Sequence, residues 1–193
     1  GLANAKGCNK CPLGRYGGSD KVGSTRVDDC KLCPTGTKGK VNGQATKDLG
    51  CVSCTSGRYQ NAEGQASCIA CAAGQYRDQK GGTTATDPTT GCKACGAGKY
   101  SSAQGATAES QCNLCSAGKY GDLTGQIDAK SCKPCGVGKS NAKSGETSDA
   151  ACLKCEKGRY QQNKGQAACN ACAKGKYSDS STSYKCTTCV ANM

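Results

Sequence analysis

The sequence predicts a small disulfide-rich repeat protein, an extended solenoid-like rod of short β-hairpin loops with very little helix. Three observations predict it. All 20 cysteines of the 193-residue chain fall in ten C-x-x-C pairs, whose first cysteines are 17 to 24 residues apart. A glycine recurs three residues after the second Cys in all nine complete units. Core-forming residues are scarce: Leu, Ile, Val and Phe together number 15, and there is no Trp, Phe or His. A chain so poor in apolar bulk, with a net charge of +12, would stay disordered without another source of stability. Covalent cross-linking is that source.

The unit reads in order as follows. The C-x-x-C pair opens it. The fixed Gly, from Gly14 to Gly175, suggests a tight turn with positive φ. Lys or Arg follows in seven units (Arg15, Arg58, Lys99, Lys119, Lys139, Arg159, Lys176). Tyr then follows in seven (Tyr16, Tyr59, Tyr76, Tyr100, Tyr120, Tyr160, Tyr177), with Lys38 and Ser140 in that place in the other two. This basic-Tyr dipeptide is the best short strand candidate, and the Tyr ring is expected to pack on the disulfide and lend bulk to a minimal core. Five residues on, a second Gly turns seven of the units back toward the next pair. The period near 20 residues describes one continuous array over 1–193, each unit touching mainly its neighbours. The array begins and stops mid-repeat, with Asn192 laid onto the Gly place, so the chain reads as a segment of something longer.

Three chemistries fit paired cysteines. A redox C-x-x-C needs a helix start in a βαβ setting, and no helical pattern of that length exists here. Zinc ribbons share the spacing. Structural disulfides fit ten equivalent pairs best, which places the chain in an oxidising compartment. Two connectivities remain. One joins the second Cys of each pair to the first of the next: Cys11–Cys30, Cys33–Cys51, Cys54–Cys68, Cys71–Cys92, Cys95–Cys112, Cys115–Cys132, Cys135–Cys152, Cys155–Cys169 and Cys172–Cys186, leaving Cys8 and Cys189 for neighbouring segments. The other bridges adjacent pairs doubly, such as Cys8–Cys30 with Cys11–Cys33. The first is favoured because a mid-repeat cut would leave one cysteine over at each end.

The unit C-x-x-C-x-x-G-[KR]-Y-x4-G, clearest at Cys95–Gly105 and Cys155–Gly165, resembles the ephrin-receptor-like cysteine-rich repeat. It is related in style to the modules of tumour necrosis factor receptors. The resemblance implies the sequential disulfide scheme and a rod of stacked modules, as in large surface proteins of algae and other protists. It implies no activity. Cysteine-rich surface antigens of ciliates and Giardia are a second likeness.

Other features narrow the function. With no His, a histidine-based triad or His-ligated metal is excluded. No apolar run is long enough for a transmembrane helix, and no cofactor or catalytic group can be nominated, so no enzyme is expected. The basic residues read either as a solvated face over the Tyr rings or as a stripe for acidic polysaccharide or glycan; nucleic acid is not expected. The insert Gly81–Thr90 carries candidate O-glycosylation sites at Thr83, Thr84, Thr86, Thr89 and Thr90, against a plain polar loop. The only adjacent acidic pair, Asp28-Asp29, reads as a turn. The expectation is a secreted or cell-surface structural component of a filament, appendage or coat that self-associates. The alternative is the stalk or ligand-binding ectodomain of a receptor or variable surface antigen.

Overall fold

The computed structural model describes residues 11–17, 30–87 and 89–190. Asp28-Asp29 and Asn192 therefore lie outside the described residues. The chain clusters into two compact units: residues 1–94 with 103–111, and residues 95–102 with 112–193.

Nine two-stranded antiparallel hairpins run through the described residues, all joined in sequence order. In the first unit they pair Arg15–Gly17 with Cys30–Leu32, Thr37–Gly39 with Cys51–Ser53, Arg58–Tyr59 with Ile69–Ala70, and Gln75–Tyr76 with Lys93–Ala94. In the second they pair Lys99–Tyr100 with Asn113–Leu114, Lys119–Tyr120 with Lys133–Pro134, Lys139–Ser140 with Leu153–Lys154, Arg159–Tyr160 with Asn170–Ala171, and Lys176–Tyr177 with Thr187–Thr188. Each opening strand lies at the place of the basic-Tyr segment, and each closing strand contains the interior of the next C-x-x-C. Strands of two or three residues are too short to stand alone. Each hairpin is instead closed by its disulfide, and eight also by a backbone bond, as where Cys71 N–H donates to the Gly57 carbonyl at 2.9 Å.

Among the described residues helix is confined to one turn at Lys47–Gly50 and to 3-10 turns at Glu109–Gln111, Ala129–Ser131 and Asp149–Ala151. These occupy the middle-length loops, just before the first Cys. Asp128 caps its turn by accepting from Lys130 N–H at 2.8 Å and Ser131 N–H at 3.2 Å.

Successive hairpins are tied by a recurring set of three backbone bonds. Between the third and fourth, Gly57 N–H donates to Arg77 O, Gln60 N–H to Gly82 O and Gly81 N–H to Cys54 O, each at 2.8 Å. The same three places bond between the sixth and seventh: Gly118 to Asn141, Gly121 to Glu146 and Gly145 to Cys115, at 2.7–2.9 Å.

The stacking also reaches the hairpin two places on. An added Cβ at Gly57, where φ is +77°, would fall on the carbonyl of Gly105. In the second unit Gly118 lies in the same way against Gly165, and Gly98 against Gly145. Within each unit hairpins thus touch a second neighbour as well as the first, which the expectation of mainly nearest-neighbour contact omitted. The fixed Gly has two reasons: its positive φ, and a carbonyl where any side chain would begin.

The core is sulfur. Cys33, Cys54, Cys71, Cys95 and Cys135 are fully buried. The Tyr rings are half-buried from Tyr16 to Tyr160, and Tyr177 is exposed. The expectation that Tyr builds the core is corrected to that extent: units this small bury their cystines and leave the rings at the margin.

Candidate functional site

The candidate site is the repeated hairpin surface with the disulfide ladder beneath it. Nine bridges join Cys11–Cys30, Cys33–Cys51, Cys54–Cys68, Cys71–Cys92, Cys95–Cys112, Cys115–Cys132, Cys135–Cys152, Cys155–Cys169 and Cys172–Cys186, with Cα–Cα distances of 5.5–5.8 Å. This is the sequential scheme. Cys189 is unpaired and exposed, and Cys8 lies outside the described residues. A loop of this size contributes about 3 kcal/mol in the chain-entropy estimate. Among the described residues no group of three or more His, Cys, Asp or Glu side chains could hold a metal ion.

Strand register sorts each hairpin into two faces. On one, the Tyr place stands opposite the first interior residue of C-x-x-C: Tyr59 opposite Ile69, Tyr76 opposite Lys93. The Lys93 ammonium sits 6.0 Å from the Tyr76 ring centroid. Where Tyr is missing the partner is aliphatic, with Val52 opposite Lys38 and Leu153 opposite Ser140. On the other face the basic place stands opposite the second interior residue: Arg58 opposite Ala70, Lys119 opposite Pro134, Lys139 opposite Lys154.

The repeated basic residues are not uniformly free. Arg58 donates to the Cys68 carbonyl at 3.1 Å and Arg159 to that of Cys169 at 3.2 Å. Lys139 pairs with Asp149 at 2.9 Å. Elsewhere on the surface Lys93 pairs with Asp78 at 3.1 Å and Lys133 with Asp122 at 2.6 Å. The lysine hydrogen bonds draw both aspartates below the usual carboxylate range, and Asp122 raises Lys133 in turn. Exposed pairs of this kind contribute little to stability.

Sequence reasoning missed the residue after Tyr. It is buried and polar at Gln60, Arg77, Ser101, Asn141, Gln161 and Ser178. In several hairpins it satisfies a loop carbonyl. In two hairpins whose cysteines are 14 apart, Gln60 and Gln161 reach the carbonyl of the residue just before the next Cys, Ser67 at 2.7 Å and Ala168 at 2.8 Å. In the longest, with a separation of 21, the longer Arg77 reaches the equivalent carbonyl of Gly91 and a second one at Lys80. In two loops filled by a 3-10 turn the residue is shorter: Asn141 donates to the Lys119 carbonyl at 3.1 Å, and the Ser101 hydroxyl has no partner. Gln recurs in two of the three loops with a separation of 14, while the third holds Ser178, which bonds to Ser180 O and the Ser183 hydroxyl.

Arg77 anchors the insert. No carboxylate pairs with it, and its Nε has no partner. The insert closes on itself, Thr83 N–H donating to Thr90 O at 2.8 Å and the Thr84 and Thr90 hydroxyls meeting at 3.2 Å. Thr83 and Thr84 are half-buried, whereas Thr86, Thr89 and Thr90 are exposed. The Asp87 carboxylate accepts from the Thr89 hydroxyl at 2.6 Å and the Thr89 N–H at 2.8 Å. These bonds hold its pKa at about 2.

Residues 42–88 match the model of a family described as tyrosine-protein kinase ephrin type A/B receptor-like. The match runs from the second hairpin into the insert of the fourth, and the same disulfide-closed unit recurs along the described chain. Residues 42–88 are thus similar to an ephrin-receptor-like cysteine-rich repeat. No curated protein matches it. Such modules, stapled by disulfides, fit an extracellular or cell-surface protein. No described helix is long and apolar enough to cross a membrane.

Proposed function

We propose that the chain is a structural segment of an extracellular filament, appendage or cell coat, a disulfide-stapled spacer with no catalytic role of its own. The interface between hairpins carries this reading. One set of three backbone bonds recurs from hairpin to hairpin, and each hairpin has its own disulfide. Repeats joined this way extend indefinitely without a new core. Local opening is confined to one short loop, which suits a material exposed to force and proteases. Self-association of such segments into a fibre or array belongs to the same proposal.

The test is immunogold labelling of the source cells together with fractionation. Label along a detergent-insoluble filament or coat supports the structural role. Label confined to detergent-soluble plasma membrane favours the stalk or ectodomain of a receptor, the reading to which the name of the matched family lends weight.

A further inference from the structure

The basic residues divide into those the repeat uses and those it does not. The residue before the fixed Gly is Leu13, Ala73, Ala97, Ala117 or Val137 in earlier hairpins, so the fold needs no charge there. In the last two hairpins that place holds Lys157 and Lys174, both exposed. The second interior residue of C-x-x-C is Lys10 in the first pair and uncharged in the eight other pairs that close a described hairpin, where Leu114 and Pro134 pack against Gly145 and Gly165 two hairpins on. At the close of the seventh hairpin it is Lys154, exposed and directly opposite Lys139. Like charges opposed across a strand pair are destabilising. Asp149 neutralises only Lys139; among the described residues no carboxylate pairs with Lys154, Lys157, Lys174 or Lys176.

Stacking brings hairpins that carry these charges into contact. Gly138 lies against Thr182, bringing the seventh hairpin onto the ninth, whose basic strand carries Lys176. Exposed rings accompany the lysines: Tyr177 adjoins Lys176, and the Lys185 ammonium lies 5.5 Å from the Tyr184 ring centroid. Residues 95–102 with 112–193 hold 13 basic and 6 acidic side chains.

We infer that the seventh to ninth hairpins form a docking surface for an acidic polysaccharide, one bearing sulfate or carboxylate groups. Ammonium heads on flexible stems tolerate irregular charge spacing, unlike the rigid forks of arginine that read paired phosphate oxygens. Exposed tyrosines offer flat apolar faces to sugar rings. The inference rests on the extracellular reading for access to its ligand, while the binding test below does not depend on where the protein resides.

The oxidised full chain is titrated with dextran sulfate and with neutral dextran over about 50 to about 200 mM salt. The variant K154Q/K157Q/K174Q/K176Q is compared with K31Q/K40Q/K47Q/K80Q, which removes equal charge from exposed lysines of the first unit. Intact mass and circular dichroism establish that each variant keeps nine bridges and its fold. The expected result is salt-sensitive binding to dextran sulfate alone, weakened about tenfold or more by the first variant and several-fold less by the second. Equal losses in both variants, or no binding to dextran sulfate, would overturn the inference. Tighter binding to single-stranded DNA of matched charge would also do so, and would mark the surface as one for nucleic acid.

Discussion

Replacing Gly57 by Ala tests whether contact between alternate hairpins stabilises the array. Gly57 has φ +77°, and its new methyl would overlap the carbonyl of Gly105. Gly81 has φ +72° with nothing within 4 Å of an added Cβ. Both substitutions therefore carry the left-handed penalty of about 1–2 kcal/mol. Only Gly57→Ala adds the cost of separating packed backbone, about 1–3 kcal/mol. The Gly105 loop offers no easy relief, because Gly105 N–H is itself bonded to the Cys71 carbonyl at 2.8 Å. The assay is native-state hydrogen exchange with disulfides intact, read at the Gly105 and Arg77 amides. The Arg77 amide donates to Ala106 O at 2.9 Å. Gly57→Ala should reduce protection there by roughly 5- to 150-fold more than Gly81→Ala, since each 1.4 kcal/mol is about tenfold. Equal losses in the two variants would refute the reasoning and leave positive φ as the glycine's only task.

Three further outcomes are expected. Thr182 holds the second-Gly place with φ 90°, a strained setting for a β-branched residue, so Thr182→Gly should raise local stability by about 1 kcal/mol on a thermal melt. Arg77→Ala should cost about 1.5–3 kcal/mol by leaving buried carbonyls unpaired, seen as faster exchange at the Thr83 amide. Arg77→Gln should recover part of this, as Gln60 does the same work one hairpin earlier. Asp87 is held at about 2 in the fold against an ordinary 3.8. Its hydrogen bonds therefore support the insert above pH ~4 and lose that support as pH falls through about 2; a carboxyl-carbon titration by NMR with a midpoint near 3.8 would contradict this.

Much of the hairpin was legible because its causes are local. The C-x-x-C spacing, the fixed Gly and the basic-Tyr segment all lie within one repeat, and the structure builds a strand, a turn or a bridge at each. Val52 and Leu153 could also have been noticed as aliphatic partners of Lys38 and Ser140, since register follows from the repeat. The burial of the residue after Tyr was not legible from polarity. Gln60 and Arg77 look like surface residues until the loop carbonyl each one satisfies is known.

The sequence by itself determined a cross-linked array without an apolar core. Twenty cysteines in register and 15 large aliphatic residues leave no other source of stability. It also determined where the chain turns, because positive φ at the repeated glycines is a property of a few neighbouring residues. Tertiary structure decided what depends on how one hairpin rotates onto the next. That rotation brings Gly57 against Gly105 and Gly138 against Thr182, pairs two repeats apart. The basic residues divide in the same way: Arg58 and Arg159 are spent on loop carbonyls, while exposed lysines stand on the seventh and ninth hairpins, which stacking brings into contact. No short window encodes those contacts, because they arise from a stacking geometry to which every interface contributes.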